Sequence, residues 1–280
     1  MGAVALLSAL AIFVTVAGWF AQLIVEQQTA LVASQVADRI AQSTNRGIVS
    51  YDNTLQTVIG GTQNPASLKL SPQERNALLA ERTPKDPQIV FLDVLDAGGN
   101  VLANLAQKAE TTNWATRKYF TTLRDRPTSG LYLDVFGQEG ETTLGMLLSR
   151  RINRPDGSFG GVVVTGVRLT YLREILSQYA LSDNETITLL RDDGLVVVRH
   201  PFELPGIGQM IDRTSPFFIF MQSGRTPIMT RDQNGVERRY VFHQVGDLPL
   251  YVAISSPTNG FHLTPLSWWA VPASLRLSTR

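Results

Sequence analysis

The chain has 280 residues and a mass of 30.8 kDa, about two domains at roughly 150 residues each. With 44% hydrophobic and 18% charged residues it can build real cores, which excludes extended disorder. Lys and Arg number 25 against 24 Asp and Glu, a net charge of +1. That balance excludes a dedicated nucleic-acid binder, which needs a concentrated basic surface to displace counterions. Cysteine is absent, and the histidines at 200, 243 and 262 lie far apart without ligand spacing. Disulfides, thiolate zinc and a cysteine nucleophile are excluded, and no metal site is expected.

From Met1 to Val25 there is no charged side chain, and the first is Glu26. At about 1.5 Å per helical residue this run can cross a hydrocarbon layer of ~30 Å. A cleaved signal peptide would have a basic start and a shorter apolar stretch. An uncleaved transmembrane anchor over 1–25 is therefore expected, in the cell inner membrane. Arg39 and Arg46 stand well beyond the run and are accompanied by Glu26 and Asp38, so charge sets no orientation.

Beyond Glu26 a helical rhythm continues. Val32, Val36 and Ile40, then Ile48, Tyr51, Leu55 and Val58, recur at three- and four-residue steps, with glutamines and Asp38 on the other side. Gly60-Gly61 is the expected stop. Ser71-Pro72-Gln73-Glu74 reads as a capping box with proline at the first helical position, opening a short helix to about Arg82. Residues 26–84 thus form a stalk helix and a short capping helix, and a homodimer through the long helix is one expectation.

The remainder is strand-rich. Ile89–Leu95 and Val101–Leu105 flank the turn Asp96-Ala97-Gly98-Gly99-Asn100, a hairpin by its turn chemistry. A helix fits Ala115 to Asp125. Strands follow at Leu131–Phe136, Thr143–Asn153 and Phe159–Arg168, the last two joined by Arg154-Pro155-Asp156-Gly157. A helix from Thr170 to about Tyr179 closes this unit, 85–180. The plan then restarts over 181–258. Thr186–Arg191, Asp192-Asp193-Gly194 and Leu195–Arg199 repeat the strand–turn–strand logic. A helix near Pro216–Gln222 and strands at Pro227–Arg231, Val236–Val245 and Leu250–Ser255 complete it. The fold class is mixed α+β: a long N-terminal helix followed by two similar units with antiparallel sheets. In the tail, 259–280, the uncharged stretch Leu263–Leu275 is short and carries Pro265 and Pro272. It reads as a truncated second membrane segment, an interfacial segment anchored by Trp268 and Trp269, or residues from an altered reading frame.

The segments RKYFTTLRDRPTSGLYLDVF, LLSRRINRPDGSFGGVVVTGVRLTYL and ITLLRDDGLVVVRHPF resemble the double Cache sensor family of bacterial receptors, over about residues 26–258. The resemblance implies an extracytoplasmic (periplasmic or extracellular) ligand sensor of two PAS-like subdomains on a long helix. It also implies a small-molecule ligand in the membrane-distal subdomain and a cytoplasmic output module, such as a histidine kinase or diguanylate cyclase, which this chain does not contain.

The enzyme classes recognisable by motif are not represented: there is no G-x-S-x-G, P-loop, H-E-x-x-H or Rossmann fingerprint. Asp192 and Asp193 read as solvated turn residues. No catalytic residue and no cofactor is expected. Binding residues are better marked. Arg150 shares a strand face with Leu144, Met146, Leu148 and Ile152, and Arg168 ends the face of Val162, Val164 and Gly166. A buried guanidinium needs a carboxylate or a ligand. The competing reading pairs them with Asp134 or Glu174, or lets both reach the sheet edge. Arg117 with Tyr119 and Phe120 offers a planar cation beside two rings, suited to a carboxylate; alternatively they cap and fill the core.

Amino-acid-sensing relatives carry a Tyr, then Arg-x-Trp-Tyr, a later Tyr, and an Asp that holds the ligand amine. By resemblance Arg117 takes the carboxylate-binding place and Tyr132 the later tyrosine. Thr112, Tyr119 and Phe120 stand in place of Tyr, Trp and Tyr, and Arg168 stands near the place of the Asp. The expected ligand site is Arg117, Tyr119, Tyr132, Arg150 and Arg168, and the expected ligand a small anionic metabolite, a carboxylate. The alternative function is a membrane-anchored structural or dimerisation module that senses nothing.

Overall fold

A computed structural model describes residues 2–64, 70–82, 85–105, 113–127, 130–137, 144–179, 184–232 and 234–258. The tail after 258 and Thr112 lie outside the described residues, and so do the side chains of residues 1–9, 11, 22, 23, 25 and 26. Helix α1 (Gly2–Gln63) is followed by α2 (Pro72–Arg82), β1 (Ile89–Asp96), β2 (Val101–Asn104), α3 (Lys118–Asp125), β3 (Tyr132–Phe136), β4 (Gly145–Asn153), β5 (Phe159–Arg168) and α4 (Leu169–Ser177). The second unit contains β6 (Thr186–Arg191), β7 (Val196–His200), α5 (Pro216–Ser223), β8 (Ile228–Arg231), β9 (Glu237–Gln244) and β10 (Leu250–Pro257). Among the described residues no helix is long and apolar enough to cross a membrane.

Two five-stranded sheets result, ordered β2-β1-β5-β4-β3 and β7-β6-β10-β9-β8, with every paired strand antiparallel. The second order is the first with each number raised by five, so the repeat read from the turns is a repeat of topology. α1 lies against one face of both sheets. Its inward line is Ala33, Ala37, Ile40, Ala41, Thr44, Ile48, Tyr51, Leu55 and Val58, all buried.

This corrects the expected stripe at its start. Val32 is 47% exposed and Val36 only half-buried. The line begins instead on small alanines, which let helix and strand backbones approach closely. Nor do the glycines end the helix. It runs through Gly60 and Gly61 to Gln63, because Gly61 is a contact point: a Cβ there would stand 2.5 Å from Leu79 Cδ2 on α2. α2 opens as expected, Glu74 Oε2 accepting from Ser71 N at 2.9 Å and Ser71 Oγ accepting from Glu74 N at 3.3 Å.

On the first sheet the α1 side carries Leu92, Val94, Leu133, Met146, Leu148, Val163 and Val167, in one core with helix residues. Arg150 falls in this row and meets Asp52 of α1. Its Nη2 donates to Asp52 Oδ2 at 2.8 Å, and its Nε donates to Asp52 Oδ1. The guanidinium that interrupts an apolar face is thus answered from the stalk helix, which neither Asp134 nor Glu174 could do. Removing one member of a largely buried pair strands the other. Asp52→Ala should therefore destabilise the fold by about 3 kcal/mol, whereas Asp52→Leu with Arg150→Met should recover most of it. Urea unfolding followed by tryptophan fluorescence checks both.

Candidate functional site

The face of the first sheet turned away from α1 is where polar groups collect. Strand register sets Tyr132 beside Ser149, Ser149 beside Val164, Val164 beside Asp93, and Asp93 beside Asn104. The adjacent row is Asp134, Leu147, Gly166 and Phe91. α3 covers the rows with Tyr119, Phe120 and Leu123, packed on Leu95, Leu147, Val162 and Val164. Asp93 is 8% exposed and its Oδ1 accepts from Asn104 Nδ2 at 2.7 Å. Ser149 is fully buried, and among the described residues its Oγ has no hydrogen-bond partner. A buried hydroxyl left so costs about 1–3 kcal/mol, which marks this spot as one where a further polar group belongs.

The segment bearing Arg117 is pinned to the β1–β2 turn. Trp114 N donates to Gly99 O at 2.8 Å, and Asn113 Nδ2 donates to Gly98 O and Asn100 Oδ1, each at 2.9 Å. Gly99 is required here: its φ is +83°, and a Cβ would lie 2.5 Å from Ala115 N. Arg117 caps α3 with extended backbone, its guanidinium 4.9 Å from the Trp114 ring centroid. Burial, and after it the charge of Asp93, push the Tyr119 phenol up, while Arg117 opposes them. Tyr132 donates to Asp134 Oδ2 at 2.9 Å, and burial with Asp134 raises its phenol also.

Of the expected site residues, Tyr119 and Tyr132 belong to this sheet face, and Arg117 is placed at its border. Arg150 is not brought to them; it is on the α1 side with Asp52. Arg168 is not brought to them either. It is exposed, with Nε 3.4 Å from Pro87 O. It stands at the end of β5 opposite to Gly161, which pairs with Asp96 where the β1–β2 turn begins. Phe120 is core, edge-on to Phe159. Asp93, Asp134 and Ser149 share this face, and the sequence reading did not name them among the site residues. Their strand alternation was readable, but which face α1 would cover was not.

Arg191 was missed as well. It is 8% exposed and sits at the end of β6 in the second unit. Its Nε and Nη2 donate to the two oxygens of Asp193 at 2.8 and 2.7 Å, and its Nη1 donates to Leu133 O at 2.7 Å. Nη1 also lies 3.3 Å from Asp134 Oδ1. Asp193 is therefore held by two-point contact although its side chain is still 30% exposed, whereas Asp192 is exposed as expected. Among the described residues no group of three or more His, Asp or Glu side chains could hold a metal ion. A cavity of about 700 Å³ on the α1 side is walled largely by Leu79, Val94, Leu102, Ala103 and Ile152. Gln63 at its rim is already bonded to Asn153 O at 2.7 Å.

No family model matches the chain, and no curated protein does. Solved structures do. The extracellular domain of rpHK1S-Z16, described as a histidine kinase, is 19% identical, with a TM-score of 0.68 over 89% of this chain and 98% of that one. The ligand-binding domain of the Pseudomonas aeruginosa PAO1 amino acid chemoreceptor PctB, in complex with L-Arg, is 14% identical over 85% and 98%, TM-score 0.63. That of the Pseudomonas fluorescens chemoreceptor CtaA, in complex with L-serine, is 14% identical over 83% and 98%, TM-score 0.59. At such identities the likeness establishes the fold, the double Cache architecture that the sequence resemblance implied. These neighbours are ligand-binding and sensor domains, not enzymes.

The Asp193 carboxyl is held below its usual range, first by hydrogen bonds from Arg191. A carboxyl lowered in the folded state stabilises above its unfolded value and loses that contribution as pH falls through the folded one. Acid should therefore destabilise the wild type below about pH 4. Asp193→Asn should flatten that limb, read by thermal melts from about pH 2 to about pH 6, which brackets the carboxylate range.

Proposed function

We propose that this chain is the membrane-anchored, ligand-sensing region of a bacterial signal-transduction receptor. In this reading the first sheet is the membrane-distal subdomain, and its outer face binds a small carboxylate that also carries a cationic group. The observation that carries the reading is the charge arrangement under α3. Arg117 stands at one border, Asp93 and Asp134 stand on the floor, and the Ser149 hydroxyl, without a hydrogen-bond partner among the described residues, lies in the row of Asp93. A ligand with only negative charge would gain at Arg117 and be repelled at both acids. The second cation expected to offset this, Arg168, is held at the far end of β5 instead. A molecule with both charges satisfies the set, each charge-assisted bond adding about 1.5–3 kcal/mol, enough with aromatic burial for micromolar affinity. The amino acids in the PctB and CtaA structures support this choice over a plain dianion.

The anchor has its own support. Leu10, Ile12, Phe13, Val14, Val16, Trp19, Phe20 and Ile24 are all about half exposed or more and surround the helix rather than forming a stripe. A helix apolar all round, with no protein packed on it, suits lipid. The sensor subdomains then lie outside the inner membrane, in the periplasm or extracellular space. Leu31, Val32 and Val49 are exposed farther along α1 and give a second copy of the helix a place to pack.

The reading is tested by thermal shift of the full chain in detergent against amino acids, mono- and dicarboxylates and polyamines. Amino acids should stabilise it, and the shift should vanish in Arg117→Ala and shrink in Asp93→Asn. Stabilisation by dicarboxylates alone, strengthened in Asp93→Asn, would overturn the assignment of the acids. No shift from any class would favour the structural-module alternative.

The anchor is tested separately. The full chain should stay with membranes through alkaline carbonate extraction, and a chain lacking residues 1–25 should be released. A mature N-terminus near Gln22 on intact-mass analysis would refute it.

A further inference from the structure

The two subdomains meet at an ionic cluster whose members belong to both, a buried Arg191 between half-buried Asp134 and Asp193. β3 ends the first sheet's order, so its outer carbonyls have no strand partner. One of them, Leu133 O, is filled by Arg191 Nη1 at 2.7 Å. The neighbouring side chain, Asp134, lies 3.3 Å from the same nitrogen and accepts from the Tyr132 hydroxyl at 2.9 Å. Asp134 is thus shared. It lies on the outer sheet face with Tyr132 and also holds a guanidinium from the second subdomain.

Arg191 cannot move independently of that subdomain. Its fork is closed on Asp193, the carbonyl of Asp193 accepts from Arg213 Nε at 3.1 Å, and Asp192 N donates to Pro249 O at 2.9 Å. The Asp192-Asp193-Gly194 turn is therefore braced from its own side. Near it the loop at Gly208 packs beside β3, where a Cβ would stand 3.9 Å from Val135 Cγ1. The charges are unequal: Asp134 and Asp193 share one guanidinium, with Lys118 acting on Asp193 from a distance. Asp134 accordingly keeps attraction for a second cation.

We propose that Arg191 is a latch that ties the second subdomain to the pocket wall through Asp134, and that a cation taking Asp134 from the pocket side releases it. The proposal rests on the pocket reading only in placing Asp134 on the ligand face. The latch exists without ligand and is tested without it. Neutralising Asp134 reproduces the loss of its hold on Arg191, since a neutral amide gives a guanidinium a weaker bond than a carboxylate does.

Amide hydrogen exchange of the full chain in detergent reads the result. Asp134→Asn should speed exchange about ten-fold at 191–195 and 207–211, in a subdomain whose sequence is unchanged, as expected when a local tie worth roughly 1.4 kcal/mol is lost. Arg191→Ala should give the same pattern, the double variant should add nothing further, and methylguanidinium should restore slow exchange to Arg191→Ala. Arg191→Lys, a point charge without the fork, should fall between. If Asp134→Asn alters exchange only within 132–136, or if the two variants are additive, the latch is refuted. Should Arg191→Ala unfold the second subdomain outright, Asp134→Asn still decides. Failure of every amino acid to bind would leave this result intact, and an uncoupled turn would leave ligand binding intact.

Discussion

Each of the two sheets has an apolar face that must be covered, and one helix covers both. The buried stripe from Ala33 to Val58 runs along this one helix, so the two sheets are held to a common element. A half-buried sheet is stable only when one face packs on something. Because α1 satisfies that need for both units, their opposite faces are free to be built for other purposes. The position of the polar floor under α3 follows directly from this.

The same constraint separates the cations. A buried arginine is costly without a partner, and three of the buried or half-buried guanidinium groups each have a distinct one. Arg150 has Asp52 on the spine. Arg151 donates from Nη1 to the carbonyls of Leu123 and Arg124 at 2.7 and 2.6 Å, fixing the end of α3. Arg191 has Asp193 and the edge of β3. Arg117 differs: its near neighbour is the Trp114 ring, which orients a guanidinium without neutralising it. In the proposed reading that leaves its charge to a ligand carboxylate.

Rigidity and responsiveness are distributed unevenly as a result. The Arg117 segment is fixed through Asn113 and Gly99 to a tight turn, so the pocket border is preorganised. The opposite edge of the floor, β3, is completed by a side chain from the other subdomain. In the proposed reading, what happens to Asp134 passes to the braced turn that carries Arg191. Along the shared spine, movement of one sheet relative to the other also has a direct route toward the N-terminal end of α1.

The sequence by itself determined the elements and their repetition. Alternation, turn residues such as Asp96 to Asn100, and the Ser71–Glu74 box are local signals, and the strands they marked are present to within a few residues. Phe159–Arg168 and Thr186–Arg191 match without adjustment. Tertiary structure decided the rest. Which face of the first sheet takes the helix depends on packing between segments a hundred residues apart, so Arg150 could be read as a site residue until Asp52 was placed beside it. The ends of a strand are equivalent in a pattern of period two, so Arg168 could not be assigned to the far end. Asp193 and Arg191 are neighbours in sequence, but only the approach of β3 buries them, and burial turns an ordinary surface pair into the junction between the subdomains.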